Sequence, residues 1–373
     1  MNRKLAVMAA MTVITIPCVW AGAVAWTTHQ PPTPAPTPSP AAEPPRKARP
    51  VSPSKSTDGD VTSAGEPPAE EEEPTREPAP GPAFGGTSAS SDPATRYDGY
   101  TLVWSDEFNS DGKPDPANWA HEIGFVRNRE WQWYQEANAR VEGGLLVIEA
   151  RKERVENPGF DASAPKEEWK KSRKVADYTS SAIETRGKHA WMYGRFEMRA
   201  RIDIREGLWP AFWSVGSGTP ERAKRAWPDC GEIDIMEFYK RTLLANAAWG
   251  SAKAGAAAWD NVKLPIEKVA KDSPGTYASA EAWAAEFHVW RMDWTEAKMV
   301  FACDGVTLNE VDLSKTINVK ADADGVKRNP LREPHYLILN LAVGATGGDA
   351  GKTEMPGKFE VDWVRVYQEH APD

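Results

Sequence analysis

Between Tyr97 and Glu369 the chain is divided into short runs in which apolar and polar residues alternate. Examples are Leu145-Leu146-Val147-Ile148-Glu149-Ala150, Arg195-Phe196-Glu197-Met198-Arg199-Ala200-Arg201 and Glu360-Val361-Asp362-Trp363-Val364-Arg365-Val366-Tyr367, each bounded by Gly, Pro, Asn or Asp. Successive side chains of a strand point to opposite faces, so period-two alternation over such lengths predicts strands with one face inward. Many short strands with few helical stretches predict an all-β sandwich or barrel. The best helix candidate is short, Ser279 to Phe287 with Ala280, Ala282, Ala284 and Ala285. No repeat of fixed period is visible, which argues against a propeller or solenoid.

Upstream of Tyr97 the pattern changes. Residues 1–30 carry Arg3 and Lys4 and then an uncharged, mostly apolar run from Leu5 to Trp26, the arrangement of an export signal, with Ala23-Val24-Ala25 as a small-x-small cleavage site. The apolar run approaches bilayer-spanning length, so a membrane tether through residues 5–26 is the alternative. Residues 31–96 are dominated by Pro, Ala, Ser and Glu, including Glu70-Glu71-Glu72-Glu73. Such a segment has too little apolar surface to offset the entropy of ordering, and it reads as a linker. The domain at 97–369 is therefore expected outside the cytoplasm, in the periplasm, at the cell surface or in the medium, and as a monomer.

Net charge is -9, which leaves no basic footprint for nucleic acid. Three cysteines, Cys18, Cys230 and Cys303, do not make a disulfide framework, and spacing does not decide whether the last two pair. His121, His189, His288, His335 and His370 lack metal-ligand spacing.

The stretch that organises the chemistry is Gly231-Glu232-Ile233-Asp234-Ile235-Met236-Glu237-Phe238-Tyr239. Its β-branched and aromatic setting favours a strand, on which Glu232 and Asp234 share a face. Strict alternation sends Glu237 to the opposite face, unless one extra residue bulges near Met236 and returns it. With that bulge the two glutamates lie about four pleat steps apart, roughly 13 Å between Cα atoms. Their side chains then reach toward the roughly 5–5.5 Å carboxyl separation of a retaining glycosidase. Asp234 between them can share a proton and split the two pKa values. A solvated or salt-bridged strand face is the bland alternative for an arbitrary acidic triplet.

The surrounding runs decide against that alternative. Trp104-Ser105-Asp106-Glu107-Phe108, Asn128-Arg129-Glu130-Trp131-Gln132-Trp133-Tyr134, Tyr178-Thr179-Ser180, Tyr193-Gly194-Arg195-Phe196-Glu197, Gly207-Leu208-Trp209-Pro210-Ala211-Phe212-Trp213, the acidic stretch and Val361-Asp362-Trp363-Val364-Arg365-Val366-Tyr367 follow one another in an order that resembles glycoside hydrolase family 16. The likeness is greatest to its laminarinase-like β-glucanases. It implies a β-jelly-roll sandwich of the concanavalin A-like type, with an open cleft on the concave face and a polysaccharide as substrate. It implies Glu232 as nucleophile, Asp234 as its helper and Glu237 as general acid/base. Met236 is the additional residue that the laminarinase-like and agarase-like branches carry, which agrees with the bulge.

Among seventeen tryptophans, Trp209 and Trp213 match cleft-floor positions, where indole stacks on the C–H face of a sugar. Asn128 and Glu130 match a polar run at the cleft edge. The resemblance also implies a structural calcium held in part by Glu107 and Asp362, while catalysis needs no cofactor. Two positions depart from the laminarinase pattern: Ala182 stands where an arginine is frequent, and Ala248 where a histidine is. Arg186 falls on the same strand face as position 182 and is the candidate to compensate. The losses leave linkage open, with a galactan-active hydrolase or a transglycosylase as alternatives. A lectin-like module is disfavoured, since binding alone does not require three like charges packed together.

Overall fold

A computed structural model describes residues 96–97, 99–217, 225–253 and 255–369. The export segment or tether expected at 1–30 and the linker expected at 31–96 lie outside the described residues, apart from Arg96. Among the described residues no helix is long and apolar enough to cross a membrane.

Two antiparallel sheets carry the fold. The cleft-bearing sheet is built from β1 (Ala120–His121), β2 (Ala182–Glu184), β3 (Leu208–Gly216), β4 (Glu232–Tyr239), β5 (Thr242–Gly250), β6 (Ala257–Pro265) and β7 (His335–Val343), in the spatial order β6-β5-β4-β3-β7-β2-β1. The second sheet runs Arg96–Tyr97, Tyr100–Asp106, Gly357–Glu369, Gly194–Ile202, His288–Trp294, Lys298–Cys303, Val306–Asp312, with Leu145–Ala150 also paired to Gly357–Glu369. The shared core takes Phe212, Ile233, Ile235, Met236 and Leu339 from the first sheet and Phe196, Met198, Trp290, Phe359 and Val364 from the second. This is the expected β-jelly-roll sandwich.

Alternation explains the second sheet well. In Gly194–Ile202, Phe196, Met198, Ala200 and Ile202 are buried, while Arg195, Arg199 and Arg201 point outward. The outward arginines pair across strands with Asp293, Asp362 and Glu360. The cleft-bearing sheet is different: β7 is buried along its whole length and β3 over its first seven residues. Its outer face is covered by the cleft loops as well as by substrate-facing side chains, so these strands read as continuous apolar runs.

The expected helix spans Ala280–Ala284, capped by Ser279, whose side chain accepts from the Ala282 N–H at 3.2 Å. A second helix, Ile266–Asp272, has no counterpart in the sequence reading. Its apolar positions Ile266, Val269 and Ala270 face inward, but seven residues are too few for a helical period to stand out. Cys230 and Cys303 are both free thiols.

The two carboxylates expected to hold calcium do not fit that role here. Glu107 accepts two hydrogen bonds from Arg365, at 2.9 and 2.7 Å, and Asp362 is paired with Arg199. A cation would have to break both pairs and enter beside two guanidinium groups. The melting temperature is therefore expected to differ by less than about 1 °C between chelator and millimolar calcium, because a ligand stabilises only by binding the folded state. A rise of several degrees with calcium would show that the arginine pairs yield to the ion.

Candidate active site

The central strand β4 contains the irregularity that the acidic spacing requires. Against β5, Asp234 pairs with Asn246 and Glu237 with Leu244, so Ile235 and Met236 together oppose the single residue Ala245. Against β3, Trp213 pairs with Asp234 and Phe212 with Met236. Ile235 and Met236 are both fully buried, so packing in the core holds the extra residue in place. Beyond the bulge Glu237 returns to the face of Glu232 and Asp234, and all three line a cleft of about 690 Å³.

Strand register arranges the cleft floor in rows. One row runs Tyr336, Val215, Glu232, Ala248, Trp259. The next runs Glu184, Ile338, Trp213, Asp234, Asn246, Asn261, and the third Ala182, Asn340, Ala211, Glu237, Leu244, Lys263. The positions where the laminarinase pattern has larger polar side chains, Ala182 and Ala248, thus stand in the rows of the two glutamates and present only methyl groups.

Each acid has its own partners. The Trp209 Nε1–H donates to Glu237 Oε1 at 2.7 Å, and the Asn246 Nδ2–H donates to Asp234 Oδ2 at 3.3 Å. Glu232 accepts from the Trp227 side chain and feels the positive charge of Arg127. Burial raises the pKa of all three carboxyls, and that of Asp234 is pushed up to about 7. For Glu232, burial and the Asp234 charge act upward while Arg127 and Trp227 act downward. For Glu237, burial, Asp234 and Glu232 all act upward, opposed by the Trp209 hydrogen bond. Two glutamates on one face therefore sit in unequal fields, with the positive charge on the Glu232 side.

The other expected residues fall at the cleft with roles that differ in detail. Trp209 is 8% exposed and engaged by its N–H to Glu237, with its ring edge-on to Tyr239. Trp213 is 9% exposed, donates to Asn340 Oδ1 at 2.7 Å and has the Arg127 guanidinium over its ring at 4.9 Å. Both indoles line the cleft with most of their surface covered. Asn128 lies in the left-handed region, φ 55°, and donates to Glu130, which is buried and also accepts from Gln132 at 2.7 Å. Arg186 reaches the cleft just beyond β2, bonded to Glu184 and lying over the Tyr336 ring at 5.1 Å.

Sequence reasoning missed Arg127, Trp227 and Trp259. Trp227 and Trp259 are 47% and 42% exposed, line the cleft and have ring centroids 6.5 Å apart. They are the more exposed aromatic surface of the cleft. Trp227 stands five residues before Glu232, and Trp259 lies on edge strand β6, which only the register connects to the catalytic row. Arg127 adjoins Asn128 in sequence but had no motif to mark it.

Two carboxyl groups on one face of a cleft, in unequal fields, are the arrangement that a glycosidase acting through acid and nucleophile requires. Comparison with known proteins assigns the family. The model for glycosyl hydrolases family 16 matches residues 126–365. The Beta-glucanase of Rhodothermus marinus is 32% identical over 306 residues, covering 76% of this chain and 91% of that protein. The catalytic domain of the endo-1,3-beta-glucanase (laminarinase) of Thermotoga petrophila superposes with a TM-score of 0.56 at 31% identity, over 73% of this chain and 99% of that one. A structure described with endo-acting O-glycanases of the human gut microbiota that initiate mucin breakdown gives a TM-score of 0.63 at 31% identity, over 74% and 94% of the two chains. The chain belongs to glycosyl hydrolases family 16, and it is a glycoside hydrolase.

The raised pKa of Asp234 has a consequence for stability. The folded protein holds this proton more tightly than the unfolded chain, so stability falls as pH rises from about 4, the unfolded value, through about 7. Asp234→Asn cannot ionise and retains an oxygen for the Asn246 N–H. It is expected to be more stable than the parent at pH 8, on the order of 1–3 kcal/mol, with the difference vanishing near pH 4. Urea unfolding at the two pH values measures this, and a variant less stable at pH 8 would contradict it.

Proposed function

We propose that this cleft cleaves β-1,3- or mixed β-1,3/1,4-linked glucan internally, by double displacement with retention at the anomeric carbon. The observation that carries the reading is the bulged β4, which places Glu232, Asp234 and Glu237 on one face in unequal fields. Glu237, surrounded by like charges, keeps its proton and delivers it to the departing glycosidic oxygen. Glu232, on the Arg127 side, attacks the anomeric carbon. Glu237, now ionised, then takes a proton from water, which releases the sugar from Glu232. Asp234, bridging the two, accommodates the charge as it moves between them. The exposed Trp227 and Trp259 offer indole faces to the sugars flanking the cleavage point. The expected export of the chain agrees with a polymeric substrate met outside the cell.

A second reading, a β-galactan or mucin-type chain, draws on Ala248 next to Glu232, on Ala182 further along the Glu237 row and on the likeness to the O-glycanase structure. Transfer to a sugar acceptor in place of water would use the same two carboxyls. Reducing-sugar release and product analysis on laminarin, lichenan, agarose and mucin glycans separate these readings. Cleavage of laminarin or lichenan is expected, and cleavage of agarose or mucin glycans alone would replace the glucan reading with the second.

Glu232→Ala is expected to lose nearly all turnover, and azide to restore part of it by attacking from the vacated face, giving a glycosyl azide of inverted configuration. Glu237→Ala should lose about 10²–10⁴-fold on polysaccharide but far less on a nitrophenyl glycoside, whose leaving group needs little protonation. Proton NMR during early hydrolysis by the parent enzyme should show the β-anomer first. Release of the α-anomer would exclude the double displacement.

A further inference from the structure

Most polar side chains of the cleft are already committed within the protein: Trp209 to Glu237, Trp213 to Asn340, Asn246 to Asp234, Arg127 to Glu122 and Arg186 to Glu184. Edge strand β6 is different. Trp259, Asn261 and Lys263 alternate along it on the side that lines the cleft, and all three are exposed. Their side-chain polar atoms make no hydrogen bond or ion pair among the described residues. Lys263 is thus the cation of the cleft that no carboxylate holds. The opposite side of β6 anchors the strand, since Val262 and Leu264 pack on the core, and Asn309 Nδ2 donates to Ala245 O at 2.9 Å and to Asp260 Oδ1 at 3.3 Å. The three uncommitted groups therefore stand on a fixed strand without being part of what fixes it.

Register places each group relative to the acids. Trp259 ends the Glu232 row beyond Ala248, Asn261 ends the Asp234 row beyond Asn246, and Lys263 ends the Glu237 row beyond Leu244. Each lies two strand spacings, about 10 Å, from the acid of its row, and Trp259 and Lys263 are about 13 Å apart along β6. The cleft crosses the strands, so a chain leaving the acids toward β6 passes over Asn261 with Trp259 on one rim and Lys263 on the other. An indole and an amide already suffice for a neutral sugar, through its C–H face and its hydroxyls. An ammonium offers only donors and a full charge, and its strongest partner is an anionic oxygen. Such a group on the sugar at the centre would meet three carboxyls, and like charge disfavours it there. At β6 it would meet Lys263 instead.

We propose that the cleft side of β6 is a subsite for an acidic sugar, in which Trp259 stacks on the ring, Asn261 bonds its hydroxyls and Lys263 pairs with a sulfate ester or a carboxylate. The polysaccharide that fits this cleft then carries negative charge on a sugar beyond the one that reacts. This rests on the cleft being a polysaccharide site, and it adds the substrate class. It applies equally to a glucan and to a galactan backbone.

The test compares matched chains. Oligosaccharides of laminarin and of agarose are each prepared unmodified, bearing sulfate esters, and oxidised at C6 to carboxylates. Calorimetry measures Kd for the full chain carrying Glu232→Gln, which holds a substrate without turning it over. On the backbone that binds, one charged form should be preferred over the unmodified form by about three- to tenfold at low salt. The preference should fade at about 0.5 M NaCl, where screening is strong. Adding Lys263→Gln should abolish it and Lys263→Arg should keep it, whereas Trp259→Ala should weaken charged and unmodified forms alike. The sulfate and carboxylate arms decide which anion is taken. With the active enzyme the same preference should appear in KM and not in kcat, because Lys263 lies far from the reacting atoms. Absence of a preference, or a preference that Lys263→Gln leaves intact, overturns the proposal. Laminarin bound without a preference leaves the glucan reading standing and removes this one. Agarose bound with a preference that Lys263→Gln abolishes, and laminarin not bound, does the reverse. Binding of neither backbone in any form overturns both.

Discussion

Three carboxylates on one side of a single strand repel one another and resist burial, and the cleft is organised around that tension. A regular strand would relieve it by sending Glu237 to the far face. The bulge at Ile235 and Met236 prevents this, and it persists because both side chains are sunk in the core between the sheets. Hydrophobic packing on one face of β4 thus holds an electrostatically unfavourable arrangement on the other. Protons are the remaining outlet, and raised pKa values at all three acids are how the strain is expressed. A carboxyl that resists ionisation near neutral pH is also one that can serve as a general acid.

The scaffold is suited to holding that strain. β4 is central in its sheet, flanked by β3 and β5, so its backbone groups are committed on both edges. The second sheet fastens its strands with cross-strand pairs such as Arg195–Asp293 and Arg201–Glu360 over a continuous apolar layer. The side chains that balance the charge come from outside this lattice. Arg127 arrives from the loop after β1 and Trp227 from the segment before β4, whereas Trp209 and Asn246 come from neighbouring strands. Position is set by the sheet, and ionisation is set in part by the loops.

The sequence revealed most about elements whose burial has a period. Phe196, Met198 and Ala200 alternate with arginines, and so the sandwich was legible. The acids were legible because three of them in six residues fit one face only if the strand bulges, a constraint of geometry. The helix Ile266–Asp272 was not legible, because two turns bury three residues and leave no recurring pattern. Arg127 and Trp259 were hidden for another reason. Their meaning depends on which residue lies across from them, and that is fixed by register between strands far apart in the chain. Glu107 and Asp362 show the converse: their arginine partners, Arg365 and Arg199, are invisible until the strands are paired, and they count against the calcium role expected of the two carboxylates.

The same division separates chemistry from recognition. Glu232, Asp234 and Glu237 are placed by β4 itself, so any sequence that keeps the bulge and its buried anchors keeps three acids on one face. The surfaces that would meet hydroxyls are drawn from different strands and loops. Ala182 and Ala248 shorten two rows of the floor, Arg127 closes the face of Trp213, and Trp227 with Trp259 opens an aromatic surface on the β6 side. In this chain the most exposed indole surface of the cleft lies at Trp227 and Trp259, the latter in the Glu232 row.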